Sequence, residues 1–222
     1  MKGKLTHKSE SETASTLTKH WNPRIKLGSM PFPVEIDFPT DDLRMKYKIA
    51  INACGLHTGG GIQVATSFIQ ELWGLETQDL DLYIFASSDI DRNLTKVSTH
   101  VKSKANYKVE DLYGLSAFSS PLNKIYADFD LVFTIFGPNY LRTQAKIEIV
   151  GFAQAWIIDK SAYRVLSLKD KIKLRTKFLI QSLFFRRADK LVVELEHVKA
   201  GLIKSGIAKP ENIEIAHNCI SS

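Results

Sequence analysis

The sequence predicts an α/β domain on a mainly parallel sheet with right-handed crossovers. Three observations support that fold. Apolar runs of strand length, several rich in Val and Ile, recur from Tyr47 onward. Segments with helical periodicity fall between them, the alternation a parallel sheet requires. The first strand meets its helix through three consecutive glycines, Gly59, Gly60 and Gly61.

In chain order, YKIAINAC (47–54) reads as a strand buried on both faces. Ile62, Ala65, Phe68, Ile69 and Leu72 then share one face of an amphipathic helix. DLYIFAS (81–87) is the second strand, followed by a polar region of weak pattern and a short strand at 107–109. A helix over 121–128 leads into FDLVFTIF (129–136), and IEIVGFAQ (147–154) follows. A long helix covers 167–187, KLVVEL (190–195) is a strand, and a helix over 197–205 stops at Gly206 before NIEIAH (212–217). No internal repeat is present.

Residues 1–44 read differently. MKGKLTHKSESETASTLTK is polar, and PFPVEIDFP holds three prolines in nine residues. So little apolar side chain does not offset the entropy of ordering, and a disordered or loosely attached extension is expected. Met45 stands directly before the first strand, as at a natural start, so the domain is expected to span 45–222.

At 44% hydrophobic and 24% charged, the composition is that of a soluble globular protein. Two cysteines, Cys54 and Cys219, make neither a disulfide framework nor a metal set and fit a reducing cytoplasm. No signal peptide or membrane-spanning run is present. The net charge of +6 favours phosphates, anionic lipid or nucleic acid without choosing among them. Nucleic acid is not expected, because there is no zinc finger or RNP-like aromatic motif. No carboxylate pair stands at metal-ligand spacing, so neither metal nor cofactor is expected.

A strand, a glycine loop and a helix N-terminus in that order suit an anion: the backbone approaches closely, and unpaired amides and the helix dipole favour negative charge. The same glycines also suit a tight turn without a ligand. No Gly-Lys-Ser/Thr follows them, which excludes a P-loop, and their spacing is not the dinucleotide G-x-G-x-x-G.

Ligands of such sheets lie beyond the strand C-termini. That rule selects Gly59–Gly61, Phe136–Asn139, Ala153–Asp159 and Glu194–His197. Each polar group there also has an ordinary structural role open to it: Asp159 as a solvated loop carboxylate, Gln154 on the backbone, Glu194 and Glu196 at a helix start. Their convergence on one rim raises the case for a site. In the long helix, Leu168, Ile172, Leu179 and Leu183 form one apolar stripe, and Leu174, Phe178 and Phe185 a second. Lys169, Lys173 and Lys177 lie on another side. Either this is a core helix with a solvated lysine face, or its basic side rests on an anionic membrane.

Together, KIAINACGLHTGGGIQVATSFIQEL, DLVFTIFGPNY with IEIVGFAQAWIID, and RRADKLVVELEHVKAGLIKSGI with NIEIAHN resemble the N-terminal, acceptor-side half of a GT4-type glycosyltransferase. The third stretch, close to the family's AD-x-(hydrophobic)-x-x-(S/T)-E-x-x-K-x-x-L, is the most specific. The resemblance covers about four-fifths of the chain. It implies a Rossmann-like three-layer domain, half of a GT-B fold, in a retaining enzyme of surface-polysaccharide synthesis at the cytoplasmic side of the membrane. It also implies that a nucleotide-sugar donor presents its diphosphate to Gly59, Gly60 and Gly61. Gly137, Asn139, Gln154, Asp159, Glu194 and Glu196 would face the glycan or lipid-linked acceptor.

The sequence departs from the family in several places. Gln154 stands where many relatives have a histidine, Leu195 replaces Ser/Thr, and His217-Asn218-Cys219 replaces Pro-Asn-Gly. The E-x7-E motif of the nucleotide-binding half is missing, so no transfer is expected from this chain alone. A non-catalytic binding or membrane-docking module and a dinucleotide-binding oxidoreductase domain are the alternatives.

Overall fold

A computed structural model describes residues 24–26, 35–37, 46–74, 80–97 and 106–216. Strands β1 (Arg24–Lys26) and β2 (Glu35–Asp37) form a small antiparallel ladder of their own. The rest of 1–44, and the departure from the family at His217-Asn218-Cys219, lie outside the described residues.

The chain then builds β3 (Tyr47–Ala53), α1 (Gly60–Gly74), β4 (Leu80–Ala86), α2 (Ser88–Val97) and β5 (Tyr107–Val109). A 3-10 turn and α3 (Leu122–Ile125) lead to β6 (Leu131–Thr134) and β7 (Ile147–Gly151). Next come α4 (Ala155–Ile158), α5 (Leu168–Phe185), β8 (Lys190–Val193), α6 (Glu196–Lys204) and β9 (Ile213–Ile215). Strands β3–β9 form one seven-stranded, all-parallel sheet in the order β5-β4-β3-β6-β7-β8-β9. This is a Rossmann-like three-layer α/β fold.

Side chains alternate across β3 and so sort the layers. Ile49, Ile51 and Ala53 pack under α1 and α2, with Phe68, Ile69, Leu72, Ile90 and Leu94. Ala50 and Cys54 face the opposite layer, against Tyr126, Phe129 and Leu141. Beside them α4, α5 and α6 cover β7, β8 and β9 through Phe178, Phe185 and Leu202. Cys54 is free, and burial pushes its thiol up to about 12, so it acts as a small apolar side chain.

Two glycines are fixed by close approach. A Cβ at Gly151 would lie 1.8 Å from the Ile135 carbonyl oxygen. A Cβ at Gly201 would lie 2.9 Å from Ile158, where α6 crosses α4.

Candidate functional site

The sheet order reverses at β3, whose neighbours β4 and β6 leave in opposite directions, and α/β sheets bind ligands in the crevice this opens above the strand ends. Just below it, Asn52 of β3 donates from Nδ2 to Thr134 Oγ1 of β6 at 3.1 Å and accepts from the Cys54 amide at 3.3 Å. Both side chains are buried. They pin the point where the chain leaves the sheet.

Above that point, Gly59 adopts φ +73°, a left-handed conformation that glycine takes without a steric penalty, and turns the chain into α1. Among the described residues, no carbonyl or side chain accepts from the Gly60 or Gly61 amides. Nothing lies within 4 Å of a Cβ placed on Gly59 or Gly60, whereas one on Gly61 would touch Leu56 and Phe136 at 3.5 Å. The first turn of α1 carries no carboxylate. The start of α1 is therefore open to solvent at Gly59 and Gly60, with the positive end of a helix dipole behind it.

On the β5–β4 side, the loop is tied to its neighbours by side chains. His57 Nε2 lies 2.8 Å from the Leu112 carbonyl; a carbonyl only accepts, so Nε2 carries the proton. The ring stacks on Tyr113 with centroids 4.2 Å apart. His57 Nδ1 is buried without a hydrogen bond of its own and lies 3.5 Å from Asp89 and 3.7 Å from Asp111. Asp111 accepts from the Ser88 amide at 2.8 Å and from the Ser88 hydroxyl, which hold its carboxyl below the usual range. Asp89 also pairs with Arg92 at 3.1 Å.

Sequence reading alone did not find this cluster. His57 stood in view inside GLHTGGG, but Asp89, Asp111 and Tyr113 reach it only because β4 and β5 line up beside β3.

The β6–β7–β8 side carries the other expected residues, and the structure divides them. Gly137 packs inward: a Cβ there would lie 2.4 Å from Val150 and 2.9 Å from Phe185, and its amide donates to the Gly151 carbonyl at 2.9 Å. The Gly137–Pro138 peptide is cis.

Asn139, expected to face the cleft, is buried below the rim instead. Its Nδ2 donates to Glu148 at 2.7 Å, and its oxygen accepts from the Leu141 amide at 3.1 Å. Glu148 needs that partner, because burial raises its carboxyl above the ordinary value while Asn139 and Thr143 draw it back.

Gln154 is half-buried at the start of α4, where its side chain makes no capping bond. Asp159 is exposed at the end of α4, and hydrogen bonds from Ser161 lower its carboxyl. Glu194 is half-exposed at the end of β8, and Glu196 is exposed in the first turn of α6, complementing its dipole.

From β3 to β8 are three strand spacings, about 14 Å at the usual separation. The segments 55–61, 135–139, 152–157 and 194–196 contain no Lys or Arg. Among the described residues, no three His, Cys, Asp or Glu side chains are grouped to hold a metal ion, and no helix is long and apolar enough to cross a membrane. The chain matches no protein-family model and none of the curated proteins with which it was compared.

Proposed function

We propose that this chain is the acceptor-side domain of a retaining, GT4-type glycosyltransferase of the GT-B fold, and that the diphosphate of a nucleotide-sugar docks on the Gly60 and Gly61 amides. The carrying observation is the pair of unpartnered amides at the switch point of an all-parallel sheet. The sugar end then extends along the β7 and β8 ends, where Gln154, Glu194 and Glu196 offer hydrogen-bond partners to a glycan or lipid-linked acceptor.

Sugar transfer requires the departing diphosphate to be neutralised while the acceptor hydroxyl is held in line. Two amides supply part of that stabilisation, and the four rim segments add no cation. The remaining positive charge comes from an opposing wall, as the family resemblance implies, so the chain alone binds donor without transferring sugar.

Titration calorimetry with nucleotide-sugars and with NAD tests this reading. The expected result is heat from a nucleotide-sugar, lost on Gly60→Val, and no preference for NAD. The NAD arm matters because this strand order is also that of dinucleotide-binding domains, although the glycine spacing is not. A preference for NAD, or transfer by the chain alone, overturns the proposal. The cation-poor rim also favours a second reading, a binding module without catalysis, which predicts no transfer even when a complementary nucleotide-binding domain is supplied.

A further inference from the structure

Helix α5 carries two apolar stripes, and the fold uses only one. Phe178 and Phe185 turn inward, the latter 1% exposed, and close the core over β7 and β8. Leu168, Ile172, Leu179 and Leu183 point outward, each more than half exposed, with Leu168 at 75%. Val165, in the turn before the helix, is 89% exposed. At 3.6 residues per turn, the four helical positions lie within about 60° of one another, in a row about 22 Å long. Four large apolar side chains exposed along one helix face, in two pairs on either side of the turn that holds Arg175, are the kind of surface that marks a contact site.

Charge borders the row on both sides. By helical position, Lys171 and Arg175 lie along one edge and Lys169 and Lys173 along the other. Lys177 falls on the far side, its Nζ 5.5 Å over the Phe178 ring. Beside the first edge opens a groove of about 370 Å³ between α4, α5 and the end of α6. Lys160, Arg175 and Arg186 line it over an aromatic floor of Trp156, Tyr163 and Phe178. A neighbouring recess adds Arg164 and Lys171, with Asp159 as the one carboxylate lining either hollow among the described residues. Asp170, the only acid within α5, is held by Ser167 at the helix start.

We infer that this face of α5 docks on an anionic lipid surface. Leu168, Ile172, Leu179 and Leu183 enter the boundary between headgroups and acyl chains, and the two basic edges and the groove meet lipid phosphates. Trp156, a lining residue of the groove and 40% exposed, lies at headgroup depth. A second copy of the chain fits poorly, because a two-fold contact along this row would set basic edges against basic edges with no carboxylate between them. An anionic lipid surface matches the stripe and both edges at once.

Vesicle co-sedimentation of the full chain tests the inference without any nucleotide-sugar, so its outcome is independent of the donor-binding proposal. The probes are phosphatidylcholine vesicles with and without phosphatidylglycerol, at low and high salt. Binding is expected only with phosphatidylglycerol and should weaken as salt rises. Lys171→Gln with Arg175→Gln should lower partitioning about 25-fold, at about fivefold per cation near an anionic surface. Leu168→Ser with Ile172→Ser should lower it at least as far. All four positions are at least partly exposed, and an unchanged melting temperature shows that the fold is intact. Three results overturn the inference: wild-type chain left in the supernatant with phosphatidylglycerol vesicles, binding that both double variants retain, or variants that change self-association while partitioning stays the same.

Discussion

The two halves of the rim are built in different ways. Around β5, β4 and β3, side chains from successive loops bind one another: His57 reaches Leu112, Tyr113 and Asp89, and Ser88 fastens Asp111. Around β7 and β8, Gln154, Glu194 and Glu196 form no side-chain hydrogen bond among the described residues and meet solvent. The first half holds the glycine loop in place, which would lower the ordering cost of the proposed diphosphate docking. The second leaves polar groups available for a partner. One half is a clamp and the other a surface.

The largest effect is expected beneath the open half. Gly151→Ala would drive a Cβ into the Ile135 carbonyl, and chemical denaturation should register a loss of about 3 kcal/mol or more. A loss below about 1 kcal/mol would mean that β6 and β7 shift apart more easily than their packing implies.

A smaller effect separates the halves directly. His57→Ala removes the bond to Leu112 and the stack on Tyr113 and should cost about 1–3 kcal/mol. Gln154→Ala should stay within about 0.5 kcal/mol. Equal losses at the two positions would erase the contrast.

The smallest effects are in the pH dependence. Asp111 is held below its usual value, so its contribution to stability is present above the unfolded carboxylate pKa of about 3.9 and lost as pH falls through the folded value. Glu148 is raised from its ordinary 4.5, so between that value and its raised one the native state binds more protons than the unfolded chain. Stability therefore falls as pH rises through that window. In acid titrations followed by denaturation, Asp111→Asn should flatten the acid limb and Glu148→Gln the opposite slope. A Glu148→Gln profile identical to wild type would show that Asn139 and Thr143 fully compensate its burial.

The strands were legible because a parallel sheet buried on both faces demands continuous apolar runs, and YKIAINA and KLVV supply them. Helix α1 announced itself by the spacing of Ala65, Phe68, Ile69 and Leu72, all of which are buried. Helix α2 did not. Its buried residues are Ile90 and Leu94, and one such pair among Asp, Arg, Asn and Thr is too little periodicity to read. The run FDLVFTIF overstated its strand, β6 being only Leu131–Thr134, because Phe129 packs on the rings of Tyr83, Phe85 and Tyr126.

At the site, the glycine turn could be read because its geometry is local. The His57 cluster could not, because strand order alone assembles it. Asn139 was misplaced because its partner Glu148 lies on the following strand, and both stripes of α5 were visible without any sign of which one the sheet would take.

The most direct measurement is the amide spectrum of the isotopically labelled chain during titration with a nucleotide-sugar. Shifts concentrated at Gly59, Gly60, Gly61 and Ile62, and abolished by Gly60→Val, are the result that diphosphate docking on the α1 N-terminus predicts. Saturation binding that leaves those four amides unmoved, or no binding at all, would contradict it.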